Sequence, residues 1–161
     1  MTGFPLFVGG GARAEGERRP LPRENPRQRR LVDRLDEVLV EAGPSRPLLV
    51  VEDNSDAREM LKSLLLLAGH TVHEAEDGPG GVRTALEVQP DIALIDIGLP
   101  GCDGYEVASA IRNALGAKVR LVALTGYGLP EDEQRARGAG FDEHIVKPVD
   151  EATLARVLAS G

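Results

Sequence analysis

The chain has 161 residues, enough for one domain of ordinary size with an extension, and only 3% of them are aromatic, which indicates an aliphatic core. Its formal net charge of −7 is unevenly distributed: residues 47–161 carry 19 acidic against 10 basic side chains, whereas residues 1–46 carry 9 arginines against 7 acids. An acidic domain of this kind is a poor binder of nucleic acid and suits a cation or a basic protein surface instead.

The single cysteine, Cys102, excludes a disulfide framework and a zinc cluster, so we expect a reducing, cytoplasmic setting. No apolar segment approaches the roughly 20 residues that span a bilayer, and we expect no membrane contact.

Residues 1–45 differ in composition from the rest and are predicted to form an N-terminal extension or linker that is partly disordered. The stretch from residue 13 to residue 30 is rich in Arg, Pro and Glu and contains little that could be buried. Apolar residues at helical spacing then predict a short helix over about 31–42, namely Leu31, Leu35, Val38 and Ala42. This helix either lies against the domain, or is left from a larger protein, or contributes to a homodimer, although it is too short to specify a coiled coil.

From residue 46 to residue 161 the pattern alternates regularly between strand and helix, which predicts a single domain. The predicted strands are Leu48–Val51, Thr71–Ala75, Asp91–Asp96, Val119–Leu124 and Glu143–Val146. The predicted helices are Ser55–Ala68, Gly81–Val88, Tyr105–Leu115, Glu131–Arg137 and Glu151–Ala159. Five strands that alternate with five helices on tight loops indicate a doubly wound α/β fold.

Charged residues follow three of the predicted strands at the point where each strand ends. Asp96 closes the most apolar strand, Glu52 and Asp53 follow the first, and Lys147 follows the fifth. Because the carboxyl ends of parallel strands meet at one edge of the sheet, we expect these four side chains to converge. A buried carboxylate needs partners or a chemical task, and clustered carboxylate oxygens suit Mg²⁺. Taken alone, Asp53 could merely cap a helix, and Lys147 could be a solvated surface residue.

Four segments together resemble the signature blocks of the response-regulator receiver domain, the phosphoacceptor module of two-component signalling. They are Leu49–Asn54, Leu94–Gly101, Ala123–Gly126 and His144–Pro148. The resemblance covers about residues 47–160. It implies a flavodoxin-like (CheY-like) five-stranded parallel sheet with strand order 2-1-3-4-5 and helices on both faces.

The resemblance also implies roles for the converging residues. Asp96 would accept a phosphoryl group from a phosphohistidine of a sensor histidine kinase or a histidine phosphotransfer protein. Mg²⁺ would be bound by Asp53, by Asp96 and by the backbone carbonyl of Gly98, with Glu52 acting through a water molecule. Lys147 would pair with Asp96 and later with the phosphoryl oxygens, and its bond to Pro148 would be cis.

Further positions are assigned by the same resemblance. The Thr125 hydroxyl would donate to a phosphoryl oxygen and, with His144, would form the switch. His144 stands where the family usually has a Tyr or Phe, and a histidine is smaller and titrates near neutrality. Gly98 and Tyr127 flank the acceptor, and we expect them to control the access of water.

The signal is expected to leave through the fourth helix, the fifth strand and the fifth helix, and to control a partner that the sequence does not identify. We expect no effector domain after the last helix, so the chain would be a stand-alone regulator or the end of a hybrid sensor kinase. We expect no enzymatic activity beyond its own phosphorylation and dephosphorylation. Two alternatives stay open: a Mg²⁺-dependent phosphatase with an aspartyl-phosphate intermediate, and a pseudo-receiver that only binds partners.

Overall fold

The computed structural model describes residues 44–160, so the helix predicted at 31–42 and nearly all of the extension lie outside the described residues. The five strands are β1 (Pro47–Val51), β2 (Thr71–Ala75), β3 (Ile92–Asp96), β4 (Arg120–Thr125) and β5 (Glu143–Val146). The five helices are α1 (Ser55–Leu67), α2 (Gly78–Val88), α3 (Gly104–Leu115), α4 (Pro130–Ala139) and α5 (Glu151–Ala159), and a 3₁₀ turn (Gly116–Lys118) precedes β4. In the described part of the chain, no helix is long and apolar enough to cross a membrane.

The five strands form one parallel sheet with the order β2-β1-β3-β4-β5, which confirms the predicted fold. The central strand β3 is buried along its whole length, as its unbroken apolar run requires. Val51, the last residue of β1, pairs with Ile95 of β3. The residues that follow this pair, Glu52 and Asp96, therefore stand side by side at the carboxyl edge of the sheet. The register of the sheet thus brings the two predicted acids together.

Alternate residues of each central strand point into two separate cores, because side chains alternate across a strand. On one face, Leu48 and Val50 pack with residues of α1 and α5; on the other, Leu49 and Val51 pack with α2, α3 and α4. Both faces of the sheet are therefore covered by helices, and the carboxyl edge of the strands is left for the polar side chains.

Helix α2 begins at Gly78, three residues before its predicted start at Gly81. The Asp77 side chain accepts a hydrogen bond from the amide of Gly80 at 2.6 Å and caps the helix. Pro79 occupies the first turn, where its missing N–H costs nothing. A Cβ at Gly81 would lie 2.8 Å from Val51, so glycine is required for the helix to pack this closely on the sheet.

Two other helices that border the site begin with side-chain caps. Asn54 accepts a hydrogen bond from the Ala57 amide at 2.9 Å and starts α1, and Asp103 forms a capping box with Glu106 at the start of α3. The cap of α1 directly follows Glu52 and Asp53, so it fixes the direction of the chain after these two acids.

Candidate functional site

Three carboxylates meet where β1 and β3 end. Glu52 is 1% exposed and Asp96 is 7% exposed, whereas Asp53 is exposed to solvent. One carboxylate oxygen from each of the three lies within 4.8 Å of the others. The structure therefore brings together the acids that the strand ends were predicted to supply.

Lys147 reaches this cluster from the end of β5. Its amide donates to the carbonyl of Thr125 at 2.8 Å, and the bond to Pro148 is cis, the form implied by the resemblance. Its ammonium lies 2.7 Å from Oε2 of Glu52 and 3.0 Å from Oδ2 of Asp96. One cation is thus shared between two buried carboxylates.

Burial and hydrogen bonding set the charges of this group. Burial raises the pKa of Glu52, and hydrogen bonds from Lys147 and from the Asn54 amide only partly offset it. Burial acts against the charged form of Lys147, but hydrogen bonds to Glu52 and Asp96 outweigh burial and raise the pKa of its ammonium. The ammonium of Lys147 is therefore stabilised in its charged form, whereas the pKa of the Glu52 carboxyl lies above its ordinary value.

Two glycines shape the surroundings of Asp96. The Gly98 amide donates to Oδ1 of Asp96 at 2.9 Å, and a Cβ at Gly98 would lie 3.5 Å from the same oxygen, so one flank of the carboxylate is open. A Cβ at Gly104 would lie 2.3 Å from the Asp96 carbonyl oxygen, a distance that no side chain tolerates. Glycine at 104 allows α3 to start directly against the end of β3.

The predicted switch residues, Thr125 and His144, lie on β4 and β5. Thr125 is 3% exposed, and its hydroxyl donates to the Tyr127 carbonyl and accepts from the Tyr127 amide at 3.1 Å. The ring of Tyr127 is 77% exposed. His144 is half-buried and lines, together with Thr125, a narrow cleft under α4 with a cavity volume of about 10 Å³. In this conformation the threonine hydroxyl is bound to its own loop.

Comparison with known proteins identifies the family. The family described as the response regulator receiver domain matches residues 48–159, which is most of the chain. The chain belongs to the response-regulator receiver family. The phosphatase alternative is accordingly not favoured, since that class of enzyme is a different family.

Relatives of the receiver domain include whole regulators and isolated receivers. The transcriptional regulatory protein PrrA of Mycobacterium leprae is 38% identical over 122 residues, which cover 74% of this chain and 52% of PrrA. The chemotaxis protein CheY4 of Vibrio cholerae has a structure that matches with a TM-score of 0.69 and 28% identity, covering 73% of this chain and 98% of CheY4. The chain spans about half the length of the transcriptional regulators that it matches.

A third similar structure bears on the metal. The receiver domain of the sensor histidine kinase PA1611 of Pseudomonas aeruginosa is 31% identical with a TM-score of 0.67, and it holds a magnesium ion in its active-site cleft. The match covers 73% of this chain and 97% of that receiver. In the present receiver domain, the oxygens of Glu52, Asp53 and Asp96 are the hard ligands that Mg²⁺ prefers, and exposed Asp53 leaves room for the waters that the ion retains. The donor set therefore fits Mg²⁺.

Sequence reasoning missed three contacts of the receiver domain. It paired Lys147 with Asp96 alone, whereas the ammonium also binds Glu52. It also overlooked Arg58, whose guanidinium donates to the Glu52 carbonyl at 2.7 Å and holds the β1–α1 loop. Tyr105, in the first turn of α3, lines the same cleft as Thr125 and His144. An aromatic residue two positions after the Asp103 cap was the one signal in the sequence that pointed to Tyr105.

Proposed function

We propose that Asp96 accepts a phosphoryl group from a phosphohistidine of a sensor histidine kinase or a histidine phosphotransfer protein. The observation that carries this proposal is the position of the Lys147 ammonium, 3.0 Å from the Asp96 carboxylate, inside a cluster of acids whose oxygens lie within 4.8 Å of one another. A cation fixed beside a carboxylate lowers the repulsion between that carboxylate and an incoming phosphoryl group.

In the proposed transfer, an Oδ atom of Asp96 forms a bond to phosphorus while the bond from phosphorus to the donor's histidine nitrogen breaks. The imidazole leaves with its electron pair, and Asp96 becomes a mixed anhydride. The protein supplies position and neutralising charge and little covalent chemistry. Hydrolysis of the anhydride by water returns the carboxylate and inorganic phosphate, so the chain would catalyse only its own phosphorylation and dephosphorylation.

Mg²⁺ would be bound by Asp53, by Asp96 and by the backbone carbonyl of Gly98, with Glu52 linked through water. When bound, the ion would screen charge between the acceptor and the phosphoryl oxygens. Because the ammonium of Lys147 is already close to Asp96, it can follow the phosphoryl oxygens with a small movement.

The remaining assigned residues orient or shield the acyl phosphate. The hydroxyl of Thr125 would release Tyr127 and donate to a phosphoryl oxygen, and His144 would respond to this shift. The open flank at Gly98 and the exposed ring of Tyr127 would set the access of water to the anhydride.

The added negative charge would change the surface formed by α4, β5 and α5, which would control a protein partner or a second copy of the chain. PrrA is a transcriptional regulator and PA1611 is a sensor histidine kinase, so receivers related to this one occur in both settings. We propose the cytoplasm as the location, which suits a chain whose single cysteine, Cys102, is free. The acidic charge of the domain supports a protein partner rather than direct contact with nucleic acid.

The experiment that tests this function is incubation with acetyl phosphate and Mg²⁺, followed by intact mass spectrometry. The wild-type chain should gain one phosphoryl group, and the isosteric Asp96→Asn variant should gain none. Chelation of Mg²⁺ should abolish the gain. A wild-type chain that gains no mass would support the pseudo-receiver instead, and turnover of small phosphate esters without a stable adduct would support the phosphatase.

A further inference from the structure

Helix α1 carries an apolar stripe along one side. Its residues are Ala57, Met60, Leu64 and Leu67, and their alternating spacing of three and four positions puts them on one face of the helix. Met60 is 46% exposed and Leu67 is 77% exposed, whereas Ala57 and Leu64 are half-buried. Single exposed leucines are common, but a continuous row of apolar side chains indicates a surface that packs against another element.

A groove continues this stripe toward the site. It has a volume of about 370 Å³ and lies between Ala57 and Met60 of α1 and Pro148 and Val149, which follow β5. Lys147 forms part of its wall. Since α1 begins at the carboxyl edge of the sheet and ends at the opposite edge, stripe and groove together extend along the whole helix. This surface is long enough to accept a second helix.

The chain enters the domain beside the far end of the stripe. The Arg46 amide donates to Nδ1 of His70 at 3.3 Å, and the Arg46 carbonyl accepts from the Thr71 amide at 3.1 Å. His70 follows shortly after Leu67, the last residue of α1, so these bonds fix the start of the domain next to that end of the stripe. Residues 43–45 span at most about 11 Å when fully extended. The segment that precedes them is therefore tethered close to α1.

That segment, residues 31–42, lies outside the described residues, and its sequence matches the stripe. Its spacing predicts a helix of about 18 Å, close to the length of α1 with its 13 residues. An isolated helix of this length is marginal in water, so it needs an apolar surface to form. Helices whose apolar residues alternate at spacings of three and four pack side by side. The apolar positions of the segment are Leu31, Leu35, Val38 and Ala42.

Charge supports one direction of packing. Because the segment ends where β1 begins, it would run parallel to α1 and start at the carboxyl edge of the sheet. Arg29 and Arg30, which directly precede it, would then lie near the exposed acids Asp53 and Asp56. Opposite charges at this end favour the packed arrangement.

We propose that residues 31–42 dock as a helix on the apolar stripe of α1 in the same molecule. The short connection gives the segment an effective concentration of about millimolar, which favours it over a second copy or a separate protein. Docked there, the segment would cover the groove beside Lys147 and restrict the approach of a protein to the site from the α1 side. The inference goes beyond the proposed function and does not depend on phosphorylation of Asp96.

The first test is amide hydrogen exchange of the full chain, measured in peptides that cover residues 31–42. In the wild type, this segment should exchange at least about tenfold more slowly than an unstructured chain. Leu67→Glu, at a side chain that is already largely exposed, should restore the unstructured rate, while slow exchange in β3 shows that the domain stays folded. The matched control is Leu86→Glu on α2, a leucine 43% exposed on the other face of the sheet, which should leave the segment protected.

The second test changes the segment and measures the stripe. The chain has two methionines, Met1 and Met60, so a methyl spectrum of ¹³C-labelled methionine resolves the signal of Met60. Leu35→Glu should move this signal, because Met60 loses an apolar neighbour. Leu86→Glu should leave it in place. A Met60 signal that is the same in the wild type and in Leu35→Glu would overturn the inference.

The exchange measurement is repeated over a wide range of protein concentration, with light scattering to give the oligomeric state. Protection that is constant in a monomer supports docking within one molecule, and protection that disappears as a dimer dissociates would overturn the inference in favour of a second copy. Exchange of the segment at the unstructured rate in the wild type would overturn it in favour of a separate protein on the stripe. Protection that persists in Leu67→Glu would show that the segment docks elsewhere, which also overturns the inference.

Discussion

Lys147 donates a hydrogen bond of 2.7 Å to Glu52, a residue 95 positions earlier in the chain, and the same ammonium lies 3.0 Å from Asp96. Glu52 is almost fully buried, so the lysine is the cation that makes this carboxylate tolerable in the interior. The hydrogen bond to Glu52 also holds the Lys147 ammonium close to the Asp96 carboxylate. Stability and phosphoryl chemistry therefore share one interaction.

A double-mutant cycle measures that interaction. Lys147→Met, Glu52→Gln and the double variant should show a coupling free energy of about 1–3 kcal/mol in urea unfolding, because Lys147→Met leaves the buried Glu52 carboxylate without its cation. The control cycle is Lys62→Met with Glu74→Gln, a pair with the same 2.7 Å separation but with both side chains partly exposed. That pair should couple by less than about 1 kcal/mol. Equal coupling in the two cycles would contradict the account.

The raised pKa of Glu52 predicts a pH dependence of stability. A carboxyl whose pKa is higher in the folded than in the unfolded chain stabilises the fold below its ordinary value of 4.5, and this contribution is lost as pH rises through the folded pKa. The difference in free energy of unfolding between the wild type and Glu52→Gln should therefore fall as pH rises above 4.5. Glu87→Gln, a change at an exposed acid on α2, should show no such trend. A difference that rises with pH would be the wrong sign.

The open flank at Gly98 predicts slower hydrolysis when it is filled. A methionine at 98 would start with its Cβ 3.5 Å from Oδ1 of Asp96 and would shield the anhydride from water. Dephosphorylation, followed by the loss of the added phosphoryl mass, should slow about threefold to tenfold, the equivalent of a barrier change of roughly 1 kcal/mol. Gly138→Met, on α4 where no atom lies within 4 Å of the new Cβ, is the matched control. An unchanged rate in Gly98→Met would count against control of water access at this position.

The contact between Gly104 and β3 predicts a destabilising substitution. Gly104→Ala would place a methyl group 2.3 Å from the Asp96 carbonyl oxygen, so the backbone must shift. We expect the free energy of unfolding to fall by about 1–3 kcal/mol, as is usual for overpacking. Gly126→Ala, which has open space at its Cβ, should stay within about 0.5 kcal/mol. Urea midpoints that are alike for the two variants would show that α3 does not need glycine at 104.

The order of elements and the meeting of the acids were predictable because both follow from short-range pattern. Apolar runs that end in Glu52, Asp96 and Lys147 locate strand ends, and parallel strands place those ends on one edge. The strand order came from the resemblance to a family. The start of α2 was placed three residues too late, because the first turn over residues 78–80 depends on the side-chain cap from Asp77 and on Pro79 at a position where a proline is tolerated.

The pairing of Lys147 with Glu52 and the burial of the Tyr105 hydroxyl could not be predicted. Both depend on the orientation of a side chain, and that orientation is set by contacts with residues far away in the sequence. Lys147 could have faced Asp96 alone, and nothing in the sequence around Tyr105 shows that its hydroxyl would lack a partner among the described residues.

The central claim is that Asp96, among three neighbouring acids, carries the phosphoryl group. After reaction with acetyl phosphate and Mg²⁺, borohydride reduces an aspartyl phosphate to homoserine, and peptide mass spectrometry locates the residue that was reduced. We expect homoserine at position 96 and unchanged residues at positions 52 and 53. Reduction at Glu52 or Asp53, or a phosphorylated chain with no reduced residue at all, would contradict it.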